Sequence, residues 1–448
     1  MEKKTYERPV LRKMNTGLMN KFGTKSQNEP VSHIESVAVK DLLKEYGSPL
    51  FVLSEKKIRR NIQQANRIFK TRYPKVQFAW SYKTNYLDAV CKIYHQEGSW
   101  AEVVSGFEYN KALNNGVPGN KIIFNGPDKT SEELLIAMQK NSLIHIDHYD
   151  ELYAIIKISE ENGLKAKVAI RVNMDTGIYP KWDRFGFNFE NGQAWNAITR
   201  IMNAPSLDMV GVHCHIGTFM LSANAYAIAA KNLCELIWNV KDRYGKSLHY
   251  LDIGGGFPST NTLKGAYLPG TDTVPSLDQF ADAITDVILG YGFKQEELPL
   301  LIIESGRALV DDAGYLLGSV LATKRLSDGR RATILDFGVN SLFTSFWYEH
   351  KVSPTRQSGT QTEDMVLYGP LCMNIDIVRE SIVLPLLEKG DQVVVHQVGA
   401  YNMTQWMQFI TLRPNIVLID NDNRTHIIRN AETLEYINST ENTPAHLQ

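Results

Sequence analysis

The sequence predicts an α/β protein, a (β/α)8 barrel of the TIM type followed by a C-terminal β domain of sandwich or barrel type. Eight short runs rich in Val, Ile and Phe are each followed by a loop and a helical pattern, which is typical of parallel βαβ units. The runs are residues 76–83, 100–105, 121–125, 143–147, 166–172, 209–216, 249–253 and 299–304. Eight such strands within about 230 residues match a closed barrel better than an open doubly wound sheet.

The helical patterns between these runs would form the outer ring of the barrel. Residues 226–243 give the clearest example, with Ala229, Leu233, Leu236 and Val240 on one face. A stripe of this kind buries one side of a helix against neighbouring strands. We therefore expect a helix here, packed on the barrel.

The chain changes character after about residue 308. Gly-containing turns there separate short strand-like runs, which favours a β domain. The runs are residues 315–322, 332–337, 364–368, 392–398 and 416–420. We divide the 448 residues into an N-terminal arm (1–46), a barrel (47–307) and a β domain (308–448).

The amino-acid composition limits the possible domain organisation and binding partners of the protein. With 43% hydrophobic and 22% charged residues, the chain is suited to two packed domains. With a net charge of -1, the chain has no overall positive electrostatic potential that would attract nucleic acid or an anionic membrane. The four cysteines, which form no C-x-x-C pair, suggest neither a disulfide framework nor a zinc ribbon. Neither an apolar leader segment nor an apolar run of roughly 18 residues is present, so we expect a soluble, cytoplasmic protein.

Functional residues are expected at the ends of the predicted strands, because barrel active sites lie at the C-terminal ends of the strands. These strand ends carry a lysine, histidines, a glycine turn, two carboxylates and arginines. They are Lys83, Glu102, Ser105, Arg171, His213, His215, Gly254, Gly255, Gly256, Glu304 and Arg307.

Lys83 is the candidate covalent anchor of a cofactor. Taken alone, a lysine at the end of an apolar strand could simply extend to solvent from the barrel mouth. A glycine turn such as residues 254–256 lets backbone amides approach a phosphate, although glycine runs also make plain tight turns. Arg307 would give the same anion a bidentate contact. Together these residues favour pyridoxal phosphate held on Lys83 as a Schiff base.

Glu304 suggests the reaction. If the cofactor is pyridoxal phosphate, a carboxylate facing the pyridine nitrogen keeps that nitrogen protonated, and the ring becomes a strong electron sink for a carbanion at Cα. A decarboxylase needs such a sink. The alternative is a structural carboxylate paired with Arg307.

The segment His213-Cys214-His215 raises a rival hypothesis. Two histidines at i and i+2 lie on one face of a strand and could bind a metal, as in a metal-dependent barrel hydrolase. Against it, later strand ends offer no convincing carbamylatable lysine, third histidine and aspartate. We expect no metal. His215 suits stacking on a flat cofactor ring, and His213 can be a satisfied core histidine.

Seven motifs occur in an order that resembles a known family. They are WSYKTN (80–85), VVSGFE (103–108), HIGT (215–218), LDIGGGF (251–257), ESGR (304–307), GPLC (369–372) and GAY (399–401). Between about residues 47 and 420 the chain resembles the alanine-racemase-fold (fold type III) pyridoxal phosphate decarboxylases, which include diaminopimelate and ornithine/arginine decarboxylases. The resemblance implies that residues 47–55 add a strand to the β domain. It also implies a head-to-tail homodimer with active sites at the interface.

The resemblance also implies roles for individual residues. Lys83 would form the Schiff base, His215 would stack on the ring, and Glu304 would meet the pyridine nitrogen. Cys372, from the partner chain, would return a proton to Cα after carbon dioxide leaves. The residues expected to contact the cofactor are Lys83, Glu102, Arg171, His215, Thr218, Gly254, Gly255, Gly256, Glu304, Ser305, Gly306, Arg307 and Tyr401, with the three glycines, Arg307 and Tyr401 holding the phosphate.

The residues expected to contact the substrate differ from those of the resembled family. Diaminopimelate enzymes carry an arginine and an acidic residue for the substrate's distal end, and those places are here Thr344 and Met373. Glu349, beside Tyr348, resembles one of the two acids that bind a distal ammonium in ornithine-type enzymes, and Asp376 is a further acid nearby. We therefore predict an amino-acid decarboxylase whose substrate is not diaminopimelate. A basic amino acid, or a modified one from a secondary pathway such as a siderophore-like intermediate, fits better.

Other classes remain as alternatives. An amino-acid racemase of the same fold would place a weaker partner, such as arginine, where Glu304 stands. A metal-dependent barrel hydrolase would bind zinc. A non-catalytic pyridoxal phosphate-binding protein would resemble the barrel alone, and the roughly 140 residues after Arg307 argue against it.

Overall fold

The computed structural model describes residues 29–356 and 361–447, so residues 1–28 of the predicted N-terminal arm lie outside the described residues. Its strands are β1 (His33–Ile34), β2 (Val37–Ala38), β3 (Leu50–Ser54), β4 (Val76–Ser81), β5 (Trp100–Val103), β6 (Ile122–Phe124), β7 (Leu143–Ile146), β8 (Ala166–Asn173), β9 (Phe187–Asn188), β10 (Leu207–Cys214), β11 (Tyr250–Asp252), β12 (Leu300–Ile303), β13 (Gly314–Arg325), β14 (Arg331–Leu335), β15 (Val352–Pro354), β16 (Thr362–Tyr368), β17 (Ile377–Pro385), β18 (Gln392–His396), β19 (Ile416–Ile419) and β20 (Thr425–Arg429).

The helices are α1 (Val39–Tyr46), α2 (Glu55–Lys70), α3 (Asp88–Gln96), α4 (Gly106–Asn114), α5 (Ser131–Gln139), α6 (Tyr149–Asn162), α7 (Gln193–Met202), α8 (Ala223–Tyr244), α9 (Gly270–Thr273), α10 (Leu277–Gly290), α11 (Arg307–Val310) and α12 (Leu434–Asn438). Short 3-10 turns occupy Tyr82–Thr84, Gly119–Lys121, Gln295–Glu297, Asp311–Ala313, Phe343–Phe346 and Ala445–Leu447. Among the described residues, no helix is both long and apolar enough to cross a membrane.

Eight parallel strands close into a barrel, which confirms the predicted fold class. Their order is β10-β11-β12-β4-β5-β6-β7-β8, and β8 pairs with β10 to close the ring. All eight correspond to the runs predicted from the sequence. The first strand is shorter than predicted, because the chain leaves the sheet at Ser81 and turns through a 3-10 helix that contains Lys83.

The helices cover the barrel because their apolar residues repeat every three or four positions. In α2, the side chain of Ser54 caps the first turn by accepting a hydrogen bond from the backbone amide of Lys57 (3.2 Å). Ile58, Ile62 and Phe69 then bury one face of the helix. Buried apolar residues with the same spacing occur in α8, which corresponds to the helix predicted at residues 226–243.

The second sheet has the order β17-β16-β14-β13-β3-β19-β20, and β18 pairs with both β13 and β15. Strand β3 precedes the barrel in sequence yet lies in this sheet, where Phe51 pairs with Leu316 of β13 and with Ile416 of β19. The chain therefore starts in the β sheet, builds the barrel and returns to that sheet. The exact domain boundaries that we predicted stay predictions.

Candidate active site

A cavity of about 880 Å³ opens at the C-terminal ends of the barrel strands, beside segments of the β sheet domain. Many of the residues expected to bind a cofactor or substrate line it. They are Lys83, Glu102, Arg171, His215, Thr218, Glu304, Arg307, Tyr348 and Tyr401. The barrel strand ends bring together residues as far apart in the sequence as Lys83 and Arg307, whereas Tyr348 and Tyr401 reach the cavity from the β domain.

The turn that carries Lys83 is fixed by contacts on both sides. Trp80 stacks on Tyr94 of α3 with ring centroids 3.7 Å apart, and its indole nitrogen donates to the carbonyl of Asn85 (3.3 Å). From the β domain, the Thr404 hydroxyl donates to the Lys83 carbonyl (3.0 Å). These contacts hold the lysine backbone rigidly at the bottom of the cavity.

The Lys83 ammonium forms an ion pair with Glu102, whose side chain is buried. Burial alone would lower the pKa of Lys83, but the carboxylates of Glu102 and Glu304 raise it above the usual value. For Glu102, burial would raise the pKa, but the lysine charge outweighs burial and lowers it. Without cofactor, Lys83 is therefore held in its cationic form and Glu102 as the carboxylate that pairs with it.

Glu304 follows β12 and is connected to Glu102 through Asn125. The Asn125 amide donates to Glu102 Oε1 (3.0 Å) and to Glu304 Oε1 (2.6 Å). Burial, and then the neighbouring carboxylates of Asp252 and Glu102, raise the pKa of Glu304 well above its usual value. A cationic ring nitrogen beside this carboxyl would favour its ionised form.

Behind Glu304 lies a fully buried group formed by His145, His213 and Asp252, whose polar atoms and those of Glu304 lie within 4.8 Å of one another. His213 Nδ1 is 3.4 Å from Asp252 Oδ1 and 3.8 Å from Glu304 Oε1. Within the described part of the chain, neither ring nitrogen of His213 makes a hydrogen bond, so our reading of it as a satisfied core histidine was wrong.

His215 faces the cavity and does not belong to that buried group. Its Nδ1 accepts a hydrogen bond from the Gly255 amide (3.1 Å), which assigns the proton to Nε2. Burial lowers the pKa of His215 well below its usual value, so the ring is neutral. A flat ring that faces the cavity fits a stacking role, and His215 lies outside the group of potential metal ligands that contains His213, which opposes an H-x-H metal pair.

The glycine turn is tightly packed. A Cβ on Gly255 would lie 2.2 Å from the Glu304 carbonyl oxygen, and Gly254 and Gly256 have φ values of +70° and +91°. Only glycine fits such positions. We expected these amides to face a phosphate, but the Gly254 amide donates to Asp252 (2.8 Å) and the Gly255 amide to His215. The amides of Gly254 and Gly255 are therefore engaged inside the protein.

Arg307 provides the test of whether the cavity fits a phosphorylated cofactor. Its guanidinium carbon lies 4.6 Å from the ring centre of Tyr401 and 5.3 Å from that of Tyr348. The Nη1 atom is buried and has no hydrogen-bond partner among the described residues. A buried N–H group without an acceptor favours binding of an anion, so the site fits a phosphate. Tyr401 has a φ of +66°, a strained conformation of the kind found at ligand sites.

Three further residues that were expected to contact the cofactor are Arg171, Ser305 and Gly306. Arg171 packs its guanidinium 4.4 Å from the Phe185 ring centre and lies 3.8 Å from Asp147. Ser305 is buried, and its hydroxyl has no partner within the described residues. Gly306 packs against Thr84, where a Cβ would clash with the threonine hydroxyl.

Most of the residues expected to bind substrate lie outside the cavity of this chain. Thr344 is buried, with its hydroxyl 2.8 Å from His350 Nε2 and 2.9 Å from Asn402 Oδ1. Glu349 pairs with Arg379 (3.6 Å). Thr344, Glu349, Met373 and Asp376 are absent from the cavity wall, and of the substrate residues only Tyr348 lines it.

Asp376 has a structural role. Its two carboxylate oxygens accept hydrogen bonds from the backbone amides of Val339 and Leu371, each at 2.8 Å. These bonds organise the segment that carries Cys372, which is exposed and free, and Met373, which is half-buried.

Sequence reasoning missed several residues of the site. Asn125 ends the third predicted strand run and could have been found by the strand-end rule. Trp182, Arg184 and Lys264 lie in loops and line the cavity. No local sequence signal identifies loop residues of this kind.

The fold and the site together define a pyridoxal phosphate-binding barrel enzyme. The protein-family model described as "Pyridoxal-dependent decarboxylase, pyridoxal binding domain" matches residues 56–311 of this chain. The chain belongs to this family of pyridoxal-dependent decarboxylases, and it is a carboxy-lyase that acts on an amino acid with pyridoxal phosphate as cofactor.

Individual relatives agree with this assignment. The chain is 30% identical to the diaminopimelate decarboxylase of Methanocaldococcus jannaschii, covering 91% of this chain and 94% of that protein. It is 28% identical to the Bacillus subtilis enzyme of the same name, covering 93% and 96%. The crystal structure of the M. jannaschii enzyme has a TM-score of 0.85, 28% identity, and coverage of 94% and 99%.

Proposed function

We propose that this chain removes carbon dioxide from an amino acid whose distal end differs from that of diaminopimelate. The observation that carries the proposal is Thr344. At the place where the resembled enzymes carry an arginine, this side chain is committed to His350 and Asn402 inside the protein. A distal carboxylate therefore has no bidentate partner at this position.

The proposed roles of the site residues follow from their positions. Lys83 anchors pyridoxal phosphate, Glu304 meets its ring nitrogen, His215 packs on its face, and Arg307 and Tyr401 hold its phosphate. The bound cofactor supplies an electron sink for the electron pair left at Cα when carbon dioxide departs. Cys372 of a second copy of the chain, or Lys83 beside Glu102, then returns a proton to Cα.

Diaminopimelate is the second candidate substrate. Curated relatives that are 27–30% identical to this chain are named diaminopimelate decarboxylases. That observation opposes our substrate proposal, whereas the residues at positions 344 and 373 support it.

A substrate panel separates the two candidates. The holoenzyme is supplied with meso-diaminopimelate, L-ornithine, L-lysine, L-arginine and amino acids with carboxylated side-chain substituents, and carbon dioxide release is measured. We expect kcat/KM for diaminopimelate to be roughly 10- to 100-fold below that of the best substrate, which is the effect of losing one charge-assisted contact. If diaminopimelate is the best substrate, the proposal is wrong.

We further propose that Cys372 acts in the cavity of a second copy of the chain. It is exposed, does not line the cavity of its own chain, and lies near Ile375, which is 54% exposed. Cys372→Ala alone should lower kcat about 100-fold, the usual contribution of a positioned proton donor.

Mixing two defective chains tests this arrangement. If sites are shared, a dimer of Lys83→Ala and Cys372→Ala chains contains one intact site, which combines Lys83 of one chain with Cys372 of the other. Co-expression should then restore activity far above either variant alone. Activity no higher than the average of the two variants would exclude a shared site.

A further inference from the structure

A carboxyl group to which the proposed function gives no role lies behind Glu304. Asp252 ends β11, is fully buried and does not line the cavity. Its Oδ1 atom accepts a hydrogen bond from the Gly254 amide (2.8 Å), whereas Oδ2 is buried and has no partner among the described residues. Buried polar atoms are usually hydrogen-bonded, so the state of this second oxygen needs an explanation.

No cation is placed to balance an ionised Asp252. Within the described part of the chain, its one basic neighbour at ion-pair distance is His213, whose Nδ1 lies 3.4 Å from Oδ1. Burial, and then the charge of Arg171, lower the pKa of His213 well below its usual value, so this ring is neutral. The Lys83 ammonium pairs with Glu102 instead. A buried charge without a partner is strongly unfavourable, so we expect Asp252 to keep its proton.

The neighbouring carboxyl of Glu304 favours the same state. The polar atoms of Asp252 and Glu304 lie within 4.8 Å of each other in the fully buried group. Two carboxylates at this distance repel each other, so ionisation of one keeps the other protonated. Burial raises the pKa of Asp252 above its usual value, and the bond from the Gly254 amide offsets only part of that effect.

The cavity decides which of the two carboxyls carries the negative charge. Glu304 lines the cavity, together with Lys83, and Asp252 does not. In the proposed function, the protonated ring nitrogen of the cofactor also meets Glu304. Because cations reach the pair from this side, the ionised form is favoured at Glu304 and the proton stays on Asp252.

The protonated Oδ2 of Asp252 then has two acceptors in its own group. One is the Glu304 carboxylate. The other is His213, whose ring packs on that of His145 with centroids 4.6 Å apart and whose nitrogens have no hydrogen-bond partner among the described residues. An ionised acceptor forms a stronger hydrogen bond than a neutral one, which favours Glu304.

We propose that Asp252 is a positioning residue: as an un-ionised carboxylic acid, it donates a hydrogen bond to the Glu304 carboxylate and holds that charge at the cavity wall. The inference rests on the proposed role of Glu304 and deepens it. Asp252 also accepts a hydrogen bond from the Gly254 amide, and the next amide of the turn donates to His215 (3.1 Å). One buried acid therefore supports both the residue expected at the ring nitrogen and the residue expected on the ring face.

Infrared difference spectroscopy of the holoenzyme tests the protonation state. Asp252→Asn replaces the acid by an amide of nearly the same shape, which donates through Nδ2 and is never ionised. The spectrum of the wild type minus that of Asp252→Asn should contain the C=O stretching band of a protonated carboxyl. If it contains the bands of an ionised carboxylate instead, the proposal is wrong.

Asp391→Asn is the matched control for this measurement. Asp391 is also buried and does not line the cavity, but its Oδ1 accepts a hydrogen bond from Arg356 Nε (2.9 Å). A carboxylate with a cationic partner is expected to be ionised. The difference spectrum of Asp391→Asn should therefore show carboxylate bands.

A cofactor labelled with 15N in its ring tests whether Asp252 acts on Glu304. The chemical shift of this nitrogen reports its protonation independently of turnover. Asp252→Ala should move the shift towards that of Glu304→Gln and lower kcat about 10- to 100-fold, the effect of losing one hydrogen bond to a charged group. Asp252→Asn should restore most of both quantities, because the amide donates to Glu304 and accepts from the Gly254 amide. Asp391→Asn should leave the shift unchanged.

Failure of this inference is distinguishable from failure of the proposed role of Glu304. If Glu304→Gln changes the nitrogen shift and Asp252→Ala does not, Asp252 only supports the turn, and the role of Glu304 stands. If Asp252→Asn is as impaired as Asp252→Ala, a negative charge at Asp252 is required and the inference is wrong. If Glu304→Gln keeps the wild-type shift, both fail.

Elemental analysis addresses the remaining way to balance the charge of Asp252. The group formed by His145, His213, Asp252 and Glu304 has ligand types that could also bind a divalent metal. We expect the holoenzyme to contain no stoichiometric metal. A stoichiometric divalent metal in the wild type that is absent from Asp252→Asn would overturn the inference, because a metal ion would then take the place of the proton.

Discussion

Lys83→Ala is expected to abolish carbon dioxide release and to leave the protein without covalently held cofactor, lowering kcat at least about 1,000-fold. The reason is geometric: the Lys83 amine lies at the bottom of the cavity, paired with Glu102 and within the field of Glu304. The other lysine on the wall, Lys264, lies at the outer rim. Visible absorbance after desalting measures the bound cofactor.

A second variant separates loss of the anchor from loss of the fold. Lys83→Ala leaves the buried Glu102 carboxylate without its cation, and an unpaired buried carboxylate destabilises the folded state. Lys83→Arg keeps the cation but cannot form the covalent link. It should unfold near the wild-type temperature and still lack the absorbance band.

Borohydride reduction followed by peptide mass spectrometry provides the decisive measurement. The wild type should carry the cofactor on the peptide that contains Lys83, and Lys157→Ala should behave as the wild type. A label on any other lysine, or a persistent absorbance band in both Lys83 variants, would show that Lys83 is not the anchor.

The barrel was predictable because its signal is local and repeated. Each strand run is apolar over four to eight residues, and each strand end positions its next residue at one rim. Lys83, Glu304 and Arg307 were found in this way. Strand boundaries were less predictable, since whether the chain ends its pairing at Ser81 or at Lys83 depends on neighbours that are distant in sequence.

The substrate end was not predictable, because it depends on side-chain packing between distant segments. Thr344 and Glu349 occupy the expected places along the chain, yet packing directs one to Asn402 and the other to Arg379. Conversely, Arg184 and Lys264 meet one cavity although 80 positions separate them in the sequence. The amides of the glycine turn also look available in sequence, but two of them bond inside the protein.

Glu304→Gln is expected to lower kcat about 100- to 1,000-fold, which corresponds to about 3–4 kcal/mol of transition-state stabilisation. An amide is nearly isosteric with the carboxyl, and its oxygen still accepts the hydrogen bond from Asn125. It cannot carry the negative charge that keeps a pyridine nitrogen protonated, so the electron sink weakens while the cofactor remains bound. Steady-state kinetics together with the absorbance of bound cofactor measure the two effects separately.

Although Glu304→Gln is expected to lower kcat, it is expected to stabilise the cofactor-free protein at pH 8. The loss of activity would then not come from unfolding. In the cofactor-free protein the pKa of Glu304 is raised by burial, so the folded state binds a proton that the unfolded state releases. Its contribution to stability is greatest at acidic pH and is lost as the pH rises through the folded pKa. Cofactor-free Glu304→Gln should therefore resist urea better than the wild type at pH 8 and lose less stability between pH 5 and 8.

Glu108→Gln is the matched control. Burial raises the pKa of Glu108 to about 7, and its carboxylate accepts a hydrogen bond from the Val104 amide (2.9 Å), but it does not line the cavity. Its stability should change with pH in the same direction as that of Glu304→Gln, whereas its kcat should stay within about twofold of the wild type. If Glu304→Gln retains wild-type kcat, or if both variants lose activity equally, a charge at position 304 does not drive the reaction.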